Sequence, residues 1–203
     1  MIIRQGCESD PLGMKLQSLD REFFRRDPVS CAREMIGCTI SLGVCCGRIV
    51  ETEAYAAVGD PACHTWKRQG ARDFVDGNPP GTAYVYLNYG MHWLLNFLVK
   101  GEKEEGFVLI RALEPLEGME LMRERRGGRG EKFLCNGPAK LTQAMGITGA
   151  HHGCDPLVEK EWKLVFPSAP SKVIASTRIG ISVATDRRWR FLQMESSFVS
   201  APA

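Results

Sequence analysis

The chain of 203 residues holds no run of 18 or more apolar residues, so no segment has the length and polarity of a membrane-spanning helix. Met1 to Asp10 lack the apolar core of a secretory signal, and the protein is expected to work inside the cell. The phosphate-loop, nucleophile-elbow and HExxH patterns are missing, which removes support from NTPase, serine-hydrolase and zinc-protease readings. There is no internal repeat, no low-complexity tract and no linker. Cysteine is not lacking, but Cys7, Cys31, Cys38, Cys45, Cys46, Cys63, Cys135 and Cys154 show no paired metal spacing. Cys63 and His64 have no second pair to complete a zinc site. Scattered thiols without a secretion signal read as reduced, partly buried small hydrophobes. No metal and no cofactor are expected. There is little excess of either charge: the net charge of +2 neither proves nor excludes a nucleic-acid partner. Arg123, Arg125, Arg126, Arg129 and Lys132 do crowd one Gly-rich stretch, either as a docking patch or as a solvated loop. A second basic group, Arg187, Arg188 and Arg190, surrounds Trp189.

What is present suffices for one ample core, with 44% apolar residues. Residues 1–19 read as a loosely ordered lead-in and 20–203 as a single domain. Asp27-Pro28 starts a helix that Gly37 closes, with Val29, Ala32, Met35 and Ile36 at helical spacing. Strands follow at about 38–44 and 48–55, joined through Cys45-Cys46-Gly47. In the second, alternation puts Ile49, Glu51, Glu53 and Tyr55 on one face, and Arg48, Val50, Thr52 and Ala54 on the other. Residues 57–82 read as a long functional loop. Ala83–Asn88 and Met91–Val99 form a hairpin turning at Asn88-Tyr89-Gly90, where Asn and Gly tolerate positive φ. A strand at Phe107–Leu113, a helix near 116–126, a helix from Pro138 to Gly146, and strands near 162–166, 172–176, 179–184 and 188–193 complete an α+β, mostly antiparallel pattern.

All four tyrosines, Tyr55, Tyr84, Tyr86 and Tyr89, lie within residues 55–89, together with His64 and close to Glu51 and Glu53. Tyrosine combines a flat apolar face with a polar tip, so a cluster suits a planar, polar ligand such as a nucleobase. Asn96 and Arg111 each interrupt an apolar strand, where a buried polar group must find partners. A tyrosine at a hairpin tip stands outside the core and has reason to be there only if it touches something. Strand parity leaves Glu51 and Glu53 as equal candidates for acid/base chemistry.

Gly47-Arg-Ile-Val-Glu-Thr-Glu-Ala-Tyr55, Pro61-Ala-Cys-His64, Tyr84-Val-Tyr-Leu-Asn-Tyr-Gly-Met-His-Trp93 and Arg111-Ala-Leu-Glu-Pro-Leu-Glu-Gly118 resemble the alkyladenine (3-methyladenine) DNA glycosylase family. Cys135-Asn-Gly-Pro-Ala-Lys-Leu-Thr-Gln143 and Arg178-Ile-Gly-Ile-Ser182 extend the resemblance, which runs in order from about residue 20 to the end. It implies a single α+β domain with a curved, mostly antiparallel sheet and flanking helices. It also implies that Glu53 is the general base activating water against the flipped nucleotide, helped by Arg111. Tyr55, His64 and Tyr86 would enclose the base, Asn96 would form the pocket floor, and Tyr89 would wedge into the duplex. The implied partner is double-stranded DNA containing damaged purines, acted on by a monomer without metal. No lysine matches a catalytic position, so hydrolysis to an abasic site is implied rather than Schiff-base chemistry. Two departures stand out: Arg72-Asp73 replaces the usual Arg-Asn, and Arg188 replaces a common proline. A binding module that had lost the chemistry would lack the matched carboxylate, whereas Glu53 is present. A small-molecule hydrolase would have no use for a tip tyrosine.

Overall fold

The computed structural model describes residues 17–203. Helix α1 (Pro28–Glu34) begins as its sequence dictates: the Asp27 carboxylate accepts a 2.8 Å hydrogen bond from the Ser30 amide, and Pro28 occupies the first turn. Its Cys31 and Ala32 face the interior, and the Thr52 hydroxyl donates to the Ala32 carbonyl at 2.7 Å, fastening the helix to the sheet.

Among the described residues the strands are β1 (Thr39–Leu42), β2 (Cys45–Ala56), β3 (Ala83–Asn88), β4 (His92–Lys100), β5 (Glu105–Glu117), β6 (Trp162–Val165), β7 (Val173–Ser176) and β8 (Arg190–Gln193). They form one antiparallel sheet in the order β3-β4-β5-β2-β1-β6, with β8 pairing with β2 and β7 with β8. Strand β2 is the spine. One edge runs along β5, while the other is shared between β1 and, at Glu51–Glu53, β8. Helices α2 (Gln69–Gly77), α3 (Met119–Arg125) and α4 (Pro138–Met145) complete the set. The chain is thus a single α+β domain built on a curled antiparallel sheet.

Several boundaries differ from expectation, each for a local reason. Cys45-Cys46-Gly47 belong to β2, and the turn is made by Gly43-Val44, where Gly43 takes φ +58°. Strand β5 continues through Pro115 to Glu117, and the following helix waits for Gly118, whose φ of +73° redirects the chain. The supposed loop 57–82 contains α2. Its Ala71, Phe74 and Val75 form one short apolar stripe that the flanking glycines and charges obscure in sequence. Residues 179–184 form no strand; the Ile179 amide is held instead by the Glu53 side chain. Residues 17–19 lie along β6, with Ser18 bridging Val165 and Leu19 buried; the rest of the lead-in, Cys7 included, lies outside the described residues. Cys31, Cys38, Cys45, Cys46, Cys63 and Cys135 are buried thiols.

The pairing of β2 with β5 shifts register near its start, between Cys46 and Gly47, and twice more around Glu51. Ile49 pairs with Leu113 and Glu51 with Ala112, while Thr52 pairs with Ile110, so Val50 and Arg111 are each skipped in the register. Two bulges in succession reverse the simple alternation: Ile49 joins the main core with Ala54 rather than sharing a face with Glu51. A second, smaller core gathers Phe74, Val75, Tyr84, Leu98 and Phe107 beneath α2, with Tyr55 and Tyr86 packed against it.

Candidate active site

A cavity of about 320 Å³ opens beside this smaller core, walled by Tyr55, His64, Tyr84, Tyr86, Leu94, Asn96, Phe107, Arg111 and Ile179–Ile181, with Tyr89 at its rim. Tyr55, His64, Tyr86, Asn96 and Arg111 were all expected in a pocket, and the fold brings them together from β2, β3, β4, β5 and the loop after β2.

The aromatic wall is braced from behind. Tyr84 stacks on Phe107 at 4.5 Å between ring centroids and meets Phe74 edge-on at 4.9 Å. Its hydroxyl lies 3.2 Å from His64 Nδ1, and the His64 ring packs 4.3 Å from Tyr86. Burial, together with the positive charge of Arg68, pushes the His64 pKa down to about 4. His64 is therefore neutral near pH 7, available for hydrogen bonding without adding charge. Burial also raises Tyr86 to about 12, so that its hydroxyl stays protonated. Asn96 is oriented by Nδ2 donating to the Tyr84 carbonyl at 3.1 Å; that carbonyl only accepts, so the amide nitrogen must face it.

Glu53 lies immediately behind this wall, with no solvent exposure. Tyr55 Oη donates to its Oε2 at 2.7 Å, and the Ile179 amide donates to Oε1 at 2.7 Å. Arg111 Nη1 is 3.2 Å from the same Oε1. Burial raises the Glu53 carboxyl above its ordinary range, against the opposing pull of Arg111, Ile179 and Tyr55, and the Glu51 charge adds to the rise. Bond-forming donors keep an anion there feasible, while desolvation makes it more basic. Glu51 differs: its oxygens already accept from Arg111, Arg190 and Ser200, so the two carboxylates that strand parity could not separate have distinct surroundings.

Arg178, which the sequence marks only as the start of a matching motif, forms the outer support of Tyr55. Its guanidinium sits 4.7 Å from the Tyr55 ring and 5.3 Å from that of Trp189, and it pairs in bidentate fashion with buried Asp60 at 2.5 and 2.9 Å. Ile179, Gly180 and Pro138 are further wall residues that side-chain chemistry alone does not mark. The basic stretch after β5 turns out to be partly structural. Arg125 donates to the Ala144 carbonyl at 3.0 Å and Arg126 bonds Gln143, tying α3 to α4. Of the two departures, Arg72 bonds the Thr65 carbonyl, tying α2 to the His64 loop, while Asp73 accepts from Gln69 at 2.7 Å within α2; Arg188 donates to the Ala175 carbonyl on β7 at 2.5 Å.

At the hairpin tip Tyr89 is 83% exposed, flanked by exposed Leu87 and Met91. The positive φ expected of Asn88 falls on Tyr89 itself, at +50°, followed by Gly90 at +69°. A bulky residue in this region is strained by roughly 1–3 kcal/mol. The Met91 amide closes the turn on the Asn88 carbonyl at 3.1 Å, which holds the ring outward.

The depressed pKa of His64 has a consequence for stability. The unfolded side chain takes a proton below about pH 6.5, whereas the folded one resists until about pH 4. The unfolded state binds more protons in that window, so stability is lost as pH falls through it. Melting temperatures measured across the window should drop in the wild type and drop less steeply in His64→Phe; parallel curves would contradict a neutral, desolvated His64.

The family model for methylpurine-DNA glycosylase matches residues 22–197. A protein of Rhodopseudomonas palustris strain BisB18 is 44% identical over 193 residues, spanning 95% of this chain and 96% of that one. One from Chlorobaculum tepidum is 41% identical over 191 residues and 91% of each chain; one from Nitrosospira multiformis is 41% identical over 191 residues, or 94% and 96%. All three are provisionally named 3-methyladenine DNA glycosylases. With the tyrosine-walled cavity and the carboxylate behind it, the chain belongs to the methylpurine-DNA glycosylase family, enzymes that act on N-glycosidic bonds in DNA.

Proposed function

We propose that this protein extrudes a damaged, alkylated purine nucleotide from duplex DNA and hydrolyses its glycosidic bond, leaving an abasic site. The observation that carries the reading is the placement of Glu53: a buried, raised-pKa carboxylate directly behind a tyrosine-walled cavity, hydrogen-bonded to one of the tyrosines. A base inside a duplex hides its glycosidic bond, so the nucleotide must leave the stack before any group can reach C1′. The cavity lies at the lower end of the range for small-ligand pockets, about 300–1,000 Å³, and its π faces favour the cation created by ring-nitrogen methylation.

Glu53 takes a proton from water while Arg111, at the same oxygen, orients the carboxylate. Methylation has already made the base a good leaving group, so one base and one water suffice. Water adds to C1′, the C1′–N bond breaks, and the bonding pair departs with the purine. Tyr55 and His64 lie against one side of the extruded base and Tyr86 against the other, and Asn96 reads its edge from the floor. None of the described residues lining the cavity is a lysine, in keeping with hydrolysis rather than Schiff-base formation. Tyr89 fills the gap in the duplex, a use that accounts for an exposed ring in a strained backbone conformation. The partner is double-stranded DNA carrying damaged purines, met by a single copy of the chain.

Incubated with methylated duplex DNA in EDTA, the wild type should release free methylpurine. Glu53→Gln should release none while still binding a duplex with an abasic-site analogue; excision by this variant at the wild-type rate contradicts the general-base role. Tyr89→Ser should weaken affinity for lesion-containing duplex, since base–aromatic stacking contributes roughly 1–3 kcal/mol per base. Unchanged affinity would argue against a wedge.

A further inference from the structure

Glu51 has no task in the chemistry above, yet it is fully buried and bonded on every side. Its Oε1 accepts from Arg111 Nε at 3.0 Å, Arg190 Nε at 2.8 Å and Ser200 Oγ at 2.8 Å, and its Oε2 accepts from the Ser200 amide at 2.6 Å. Arg190 in turn spends its other nitrogens on the main chain just beyond, donating to the Ala201 carbonyl and to that of Pro202 at 3.1 and 3.2 Å. The segment 200–202 is thus strapped across the base of the charge cluster. It lies outside the stretch, residues 22–197, over which the family model matches.

The cluster closes electrically: Glu51 and Glu53 carry two negative charges, Arg111 and Arg190 two positive ones. Such buried groups stabilise one another only while each remains in place. Arg111 is the shared member. It is a skipped residue of a bulge, which aims its side chain inward, and it is held on its Nε edge by Glu51 while Nη1 alone reaches Glu53. A guanidinium freed from Glu51 would turn its fork to Glu53 and pair with both oxygens, the geometry that Arg–carboxylate pairs prefer. That would occupy the lone pairs the reaction needs.

We propose that Glu51, clamped by Arg190 and by the amide and hydroxyl of Ser200, is a positioning residue that restrains Arg111 to a single contact with Glu53 and so keeps Glu53 open to water. The inference rests on the reading of Glu53 as the general base. It assigns the 200–202 segment a part in catalysis although that segment does not line the cavity.

The groups facing Glu53 are Arg111 from β5, Glu51 and Tyr55 from β2, Tyr86 from β3, and Arg178 with the Ile179 amide from the loop before β8. Glu51→Gln keeps the shape, removes one negative charge and sets an amide NH2 against donors that an oxygen had accepted from, so it loosens the clamp. Single-turnover excision should fall by about tenfold or more, the order of loss that a misplaced catalytic group brings. Affinity for abasic-analogue DNA should stay within about twofold of wild type. The acid limb of the pH–rate profile should move to lower pH, because the repelling carboxylate is gone and Arg111 leans wholly on Glu53. Ser200→Pro removes both Ser200 donors without altering a buried side chain, and should lower the rate in the same direction with binding retained. A folded Glu51→Gln with unchanged rate and pH profile overturns the proposal, as does a loss of binding equal to the loss of rate. Should Glu51→Gln fail to fold, an unchanged rate in Ser200→Pro overturns it. A wild type that releases no base, tested alongside, overturns the reading of Glu53 itself and the inference with it.

Discussion

A carboxylate with no exposure is expensive, and the architecture around Glu53 is organised to meet that expense. Removing an ion from water costs several kcal/mol even after relaxation. Two donors and one guanidinium offset most of it, and what is left over is the raised pKa. That residual basicity is what the proposed general-base role of Glu53 would draw on. The β2–β5 pair that carries these groups is the longest ladder of the sheet and an irregular one, and two of its three register shifts fall on either side of Glu51, opposite Arg111. Buried charge and backbone irregularity therefore coincide within one strand pair.

The aromatic wall depends on the same spine. Tyr55 is fixed at its hydroxyl by Glu53 and across its face by Arg178, whose own charge is neutralised by Asp60. Tyr86 and His64 rest on Tyr84, which rests on Phe107 and on Phe74 of α2. A pocket pre-formed in this way loses little freedom when a base enters, which favours binding. The β3–β4 hairpin carries Tyr86 into the cavity wall and leaves Tyr89 exposed at its tip, so one short element serves both parts of the proposed base extrusion.

Much of this was legible in the chain. Asn96 and Arg111 stand out in the sequence by breaking apolar strands, and the tyrosine cluster marks the cavity wall. Helix α2 escaped notice because its apolar stripe is only Ala71, Phe74 and Val75, set between glycines and charged residues, and it gains its meaning from Tyr84 and Phe107 elsewhere. The strand expected at 179–184 failed because its amide finds a side-chain acceptor 126 residues away. The difference between Glu51 and Glu53 could not be read from alternation. It is set by bulges at Val50 and Arg111 and by Ser200, 149 residues distant from Glu51. Local pattern specifies elements; long-range partners specify how each carboxylate is held.

The most direct measurement is a comparison of two titrations: the ¹³C chemical shift of the Glu53 carboxyl in the free enzyme, and the acid limb of kcat/KM for base excision from methylated duplex DNA. A single apparent pKa in both, above the roughly 4.3 of an unperturbed glutamate, is the result this account predicts. A Glu53 carboxyl that ionises well below the kinetic limb would contradict it, since the group whose ionisation controls the reaction would then lie elsewhere.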